Sequence, residues 1–372
     1  MRRRGFRVAA AVLMAFGLVA AACSKDKGSG ANNGTPDKVT VQLKWVTQAQ
    51  FAGYYAAEAQ GYYDDSGLDV TIKPGGPNIT PEQVVASGAA EFGLDWLPSL
   101  LSSREQGSDL VNIAQVFTRS GMTEVTWKDS GITSIADMAG KKVGVWCCGN
   151  EFELFAALTK NGIDPHDPGD VTIVDQPFDM NLFLQSQVDA AAAMTYNELA
   201  QVLEQQNPDT GSLYTLDDLN VLKMEDQGTG MLEDGIFVRG DWIADADNQD
   251  IATRFLEASF KGWAYCRDNF EDCVQTVLDN GPTLGEGHQT WQMNEINALI
   301  WPAPVGVGVM QQDAFDRTAG IAQQFDVIKA APQDAFRTDL AEAAVKDLED
   351  DGVDVNGADW EKADVEVTAG GE

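Results

Sequence analysis

The chain has 372 residues, 44% hydrophobic and 22% charged, with 58 acidic against 25 basic side chains and a formal net charge of −33. Single hydrophobic cores stop growing at roughly 250 to 300 residues, so this globular composition points to two lobes rather than one domain. The acidic excess repels phosphate backbones and anionic lipid surfaces, which excludes nucleic acid and polyanions as electrostatic partners.

Residues 1–22 read as a secretory signal: Arg2, Arg3, Arg4 and Arg7 precede an uncharged apolar run from Val8 to Ala22. Small residues lead directly into Cys23, the order of a bacterial lipobox, so cleavage is expected to leave Cys23 lipidated. Residues 23–38 are rich in Gly, Ser, Asn and Lys and read as a flexible tether. The expected location is the extracytoplasmic face of the cell membrane, with membrane contact through the lipid alone.

From Val39 onward short apolar runs alternate with helical patterns. Strands are predicted at Val39–Leu43, Leu68–Lys73, Phe92–Leu94 and Val111–Phe117, with helices at Gln50–Gln60 and Pro98–Gln106 and a helix start at Thr80-Pro81-Glu82. A second series follows, with strands Lys142–Trp146, Val171–Val174 and Asp189–Met194, a helix Asn150–Asn161, and a helix from Asn197. Strand Gly235–Arg239 precedes helices Gln249–Asn269, Cys273–Asn280, Thr290–Trp301 and Gln311–Phe325. This alternation argues for an α/β fold with mainly parallel sheets. The expected division is residues 39–125 and 230–330 for one lobe, 126–229 for a second lobe inserted into it, and 331–372 for a C-terminal helix and acidic tail. Two crossovers between lobes make a hinge, and the cleft between them is the expected ligand site.

Ligands in open α/β sheets lie beyond the carboxyl ends of the strands. The loops there carry Trp45, Gln48 and Phe51, then Trp96, then Trp146, Asn150 and Glu151, then Tyr196 and Glu198. Aromatic faces with carboxamide and carboxylate edges suit a flat heteroaromatic ring, uncharged or weakly cationic. Each also has a plain structural reading: the tryptophans can be core, and Glu151 and Glu198 sit where helix dipoles favour acids. His166 lies in a turn and His288 in a Gly-rich loop, neither beside a nucleophile, and Gly75-Gly76-Pro77-Asn78 lacks the ending of a phosphate loop. Cys147 and Cys148 have no further ligands at zinc spacing. Cys266 and Cys273 are the plausible disulfide, provided that a turn interrupts the helix between them. No metal, cofactor or catalysis is expected.

The stretches Leu43–Ala57, Gly61-Tyr62-Tyr63 and Phe92–Asp95, with Lys142–Trp146, Asn150-Glu151 and Met194–Glu198, together resemble the substrate-binding proteins of ABC importers. The similarity is to the nitrate, sulfonate and thiamine-pyrimidine group, which includes the fungal thiamine pyrimidine synthases. The resemblance implies a two-lobe type II periplasmic-binding-protein fold, a monomer, and permease and ATPase subunits as partners. In the pyrimidine-binding branch the first loop carries Trp, Asn and His; Trp45 matches, while Gln48 and Phe51 replace the other two. A thiamine pyrimidine precursor is the first expectation for the ligand and riboflavin the second. A synthase-like enzyme is the third reading, and Phe51 cannot supply imidazole chemistry to it.

Overall fold

The computed structural model describes residues 35–147 and 149–372, so the signal, Cys23 and most of the tether lie outside the described residues. Among the described residues, ten strands form two five-stranded sheets. The first sheet contains β1 (Asp37–Gln42), β2 (Leu68–Lys73), β3 (Phe92–Trp96) and β4 (Leu110–Gln115). The second contains β5 (Met122–Trp127), β6 (Lys142–Val145), β7 (Thr172–Asp175), β8 (Ala190–Met194) and β9 (Leu219–Lys223), and the chain then returns to the first sheet with β10 (Asp234–Arg239). The orders are β2-β1-β3-β10-β4 and β7-β6-β8-β5-β9. In each sheet one strand, β10 or β5, runs antiparallel to its neighbours, and these are the strands entered from the crossovers.

The central strands are buried throughout: every residue of β3 (FGLDW) and β8 (AAAAM) is buried or nearly so. Sheets covered by helices on both faces require such continuous apolar runs. Two strands were not foreseen. β5, MTEVTW, looks polar in sequence, yet Thr123, Glu124 and Thr126 are fully buried. Its place in the second sheet moves the change of lobe ahead of the expected boundary at 126, to between Gln115 and Met122. β9 pairs with it along Thr123↔Lys223 to Trp127↔Leu219.

Helix Ala52–Ala59 and the long helix Ala246–Asp268 meet at two glycines. A Cβ on Gly53 would lie 2.2 Å from the Trp263 ring, and one on Gly262 would lie 2.0 Å from the Gly53 carbonyl oxygen. Trp301, like Trp263, belongs to the core, and Arg267 lies 4.6 Å from its ring. Cys266 and Cys273 form a disulfide with a Cα separation of 5.3 Å, because Asn269, at φ −131° and ψ 63°, breaks the helix between them.

Helix Glu286–Ile300 starts earlier than the sequence predicts and takes in His288, which is therefore helical rather than in a loop. Gly285 and Gly287 are there for close approach rather than flexibility. Cβ atoms at these positions would lie 2.2 Å from the Gly371 oxygen and 1.9 Å from Thr368 Oγ1. The segment after helix Asp339–Asp350 therefore docks on this helix. Asn294 exchanges two hydrogen bonds with the Ala363 backbone, and Gly370 N–H donates to the Glu204 carbonyl at 3.0 Å.

Candidate functional site

The cleft between the sheets holds a cavity of about 430 Å³. Trp45, half-buried after β1, meets Phe178 from the loop after β7, with ring centroids 4.5 Å apart. Phe178 in turn stacks with Trp146, at 6.4 Å and an interplanar angle of 12°. The Trp146 indole N–H donates to the Pro177 carbonyl at 3.2 Å, which fixes its ring. Three aromatic side chains from both lobes thus line one opening.

The first lobe supplies a polar floor. Gln48 Nε2 donates to Gln50 Oε1 at 2.7 Å, and Gln50 Nε2 donates to Asp234 Oδ2 at 2.8 Å. Lys44 is ion-paired with Asp95 and lies 4.7 Å from the Trp96 ring. Burial alone would lower the Lys44 pKa, but Asp95 and further acids raise it on balance. Glu82, only 2% exposed, is pushed up to about 8 by burial and by Asp95, so it carries a proton at neutral pH.

The second lobe supplies Glu198, whose carboxyl accepts from Met194 N–H at 3.0 Å and from Asn197 Nδ2 at 2.7 Å. Burial raises its pKa to about 7, and those bonds together with His288 hold it from rising further. Glu151 Oε2 accepts from Gly149 N–H at 2.8 Å, and Asn150 Nδ2 donates to the Cys147 carbonyl at 2.9 Å, so both serve the loop that places them at the cavity. Tyr196 lines the same wall and is 3% exposed.

Of the nine residues read as ligand contacts, the structure brings Trp45, Gln48, Trp96, Trp146, Asn150, Glu151, Tyr196 and Glu198 to the cavity. Phe51 is the correction. It ends the tight turn Ala49–Phe51 with its ring fully buried in the core, and Gln50 takes the place at the cavity. A 3₁₀ turn has about three residues per turn, which sends neighbours to different sides. Lys44, Glu82, Asp95 and Phe178 were missed. The sequence does signal Phe178, because the loop after β7 obeys the same rule as the other strand-end loops. Lys44 is the single basic residue among the described lining residues, and it is already paired.

The model of the family described as NMT1/THI5 like matches residues 48–272. The chain belongs to that family. The chain is 26% identical over 296 residues to the riboflavin-binding protein RibY of Chloroflexus aurantiacus, covering 76% of this chain and 80% of that protein. It is 25% identical over 248 residues to the formylaminopyrimidine-binding protein of Halalkalibacterium halodurans, covering 66% and 71%. Among solved structures, the periplasmic aliphatic sulphonate binding protein SsuA of Escherichia coli superimposes with a TM-score of 0.59 at 17% identity, over 83% of this chain and 92% of that one. That likeness shows the two-lobe periplasmic-binding fold. Among the described residues no helix is long and apolar enough to cross a membrane.

Proposed function

We propose that this NMT1/THI5-like protein is a lipid-anchored, extracytoplasmic solute-binding component of an ABC importer that captures a flat heteroaromatic ligand and releases it unchanged to a permease driven by an ATPase. The observation that carries the reading is the aromatic lining shared by two lobes, Trp45 from one and Trp146 with Phe178 from the other. Stacking from both sides favours the closed form, so ligand shifts the population of a hinge by its differential affinity for closed over open. Acidic groups around the rings suit amino and ring N–H edges. Sulfonate and nitrate are disfavoured, because the one lining cation is bound to Asp95.

A thiamine pyrimidine precursor satisfies this chemistry and is the first reading. Riboflavin is the second, favoured by the cavity of about 430 Å³, which exceeds the needs of a single six-membered ring. The deciding experiment is mass spectrometry of ligand retained through gentle purification, with titration of formylaminopyrimidine, riboflavin and an alkanesulfonate monitored by tryptophan fluorescence. Binding of either heteroaromatic without turnover supports the proposal. Preference for the sulfonate, or conversion of the bound molecule, would refute it. Lipidation is tested separately by Cys23→Ala, which should release the protein from membranes.

A further inference from the structure

His288 lies on helix Glu286–Ile300, outside the cleft, with its side chain 15% exposed. Its Nδ1 is 2.7 Å from Glu204 Oε1, and its Nε2 is 2.8 Å from Asn197 Oδ1. Asn197 Nδ2 donates in turn to Glu198 Oε1. Four side chains thus form one hydrogen-bonded line, running from Glu204 through His288 and Asn197 to the carboxyl group that borders the cavity.

The polarity of the asparagine dictates the state of the histidine. With Nδ2 given to Glu198, Oδ1 faces the imidazole, and an amide oxygen can only accept, so Nε2 must carry a proton. Nδ1 faces the Glu204 carboxyl, and with Glu204 ionised that group also only accepts, so Nδ1 carries one too. The line as drawn is therefore an imidazolium held between Glu204 and an amide, with Glu198 ionised. The alternatives have a neutral ring, with the proton on Glu198 and Asn197 turned over, or with the proton on Glu204 and Asn197 unchanged. The turn Ala369–Gly371 covers the pair: a Cβ on Gly371 would lie 2.9 Å from His288 Cβ and 3.0 Å from Glu204 Oε2. Excluding water there strengthens the ion pair. The titratable groups facing the relay are Glu204 against the ring, Glu198 beyond Asn197, and Tyr196, whose hydroxyl is pushed up by burial first and by Glu198 among other acids.

We propose that His288 is a positioning residue for the binding site: through Asn197 it orients Glu198 and favours its ionised form, so the cleft selects ligands that present N–H donors or a positive charge. This rests on the reading of the cleft as the ligand site, and it adds a selector outside the cleft. His288 and His166 are the two histidines of the chain, so the imidazole spectrum is directly assignable. Long-range ¹H–¹⁵N correlation on the full chain without ligand, at about pH 7.5, where Glu198 ionises and an ordinary histidine is neutral, should show both His288 nitrogens protonated. Glu198→Gln should shift that pattern toward the neutral ring and leave His166 unchanged. A neutral His288 in the wild type, or one indifferent to Glu198→Gln, overturns the relay.

The second arm titrates formylaminopyrimidine and riboflavin across about pH 5.5 to 8.5. His288→Gln should weaken whichever probe binds by roughly tenfold, the scale of one charge-assisted hydrogen bond, and move the pH midpoint of binding. Trp45→Ala should weaken binding without moving that midpoint. An unchanged midpoint in His288→Gln refutes the positioning role. If neither probe binds while the spectral coupling holds, the relay stands and the ligand reading falls.

Discussion

Trp45 and Phe178 face each other from opposite lobes, so removing either ring should open the aromatic slot; Trp45 also packs against the core, whereas Phe178 is exposed. Phe178 is 43% exposed, and Phe178→Ala should leave the melting temperature nearly unchanged, within about 0.5 kcal/mol of stability. Affinity for a heteroaromatic probe should fall roughly tenfold in Trp45→Ala and in Phe178→Ala, as the loss of one aromatic contact and its buried area implies. Fluorescence titration beside a thermal melt separates the two effects; an unchanged affinity in both variants would remove the slot from the site. At this scale the sequence was informative where a residue type has one use. Tryptophans and acids in strand-end loops pointed to the cavity. It failed at Phe51, where the hand of one tight turn decides between core and cleft and where Gln50, one position earlier, takes the polar role.

Among the elements, β5 departs furthest from its sequence. Glu124 is fully buried with neither carboxyl oxygen partnered, and burial drives its pKa well above the ordinary carboxylate range. A strand that carries a neutral acid inward cannot be recognised by alternation, because the residue type argues for the wrong face. Glu124→Gln should therefore be tolerated near neutral pH and should raise the melting temperature at alkaline pH, where the wild type must ionise a buried group. Calorimetry at two pH values checks this, and equal melting temperatures at high pH would contradict it. The disulfide belongs to the same scale. It closes a loop of only eight residues, so Cys266→Ser with Cys273→Ser should cost about 2.5 kcal/mol by the chain-entropy relation, measured by urea unfolding. Gly53→Ala should be harsher, since the new methyl meets the Trp263 ring where two helices cross.

For the whole molecule, the buried acids set the dependence of stability on pH. Glu82 and Glu153 are raised to about 8, and Glu198 and Asp234 to about 7, with burial the leading cause in each. Glu153 and Glu233 meet at the hinge, where Ser120 Oγ donates to Glu153 at 2.6 Å and Gly121 N–H donates to Glu233 at 2.6 Å, both from the first crossover. A raised acid keeps its proton longer in the folded state. Its contribution is complete below the unfolded value, near pH 4, and is lost as pH climbs through 7 to 8, at ~1.4 kcal/mol per pH unit for each group within its window. Asp339, held low by the hydrogen bond from Arg337, acts in the opposite sense below about pH 4. Stability should therefore peak in mild acid and decline toward pH 9, and Glu153→Gln should flatten the decline; a melting temperature rising steadily to pH 9 would be incompatible. By itself, the sequence determined the two-lobe α/β class, the strand-end loops and the family resemblance, because apolar periodicity and turn chemistry are local properties. Only the tertiary structure decided that Phe178 crosses to Trp45, that Lys44 is already paired, and that His288 is wired to Glu198. Those facts join residues that are 133, 51 and 90 positions apart, and no local preference encodes which distant side chains a folded chain brings into contact.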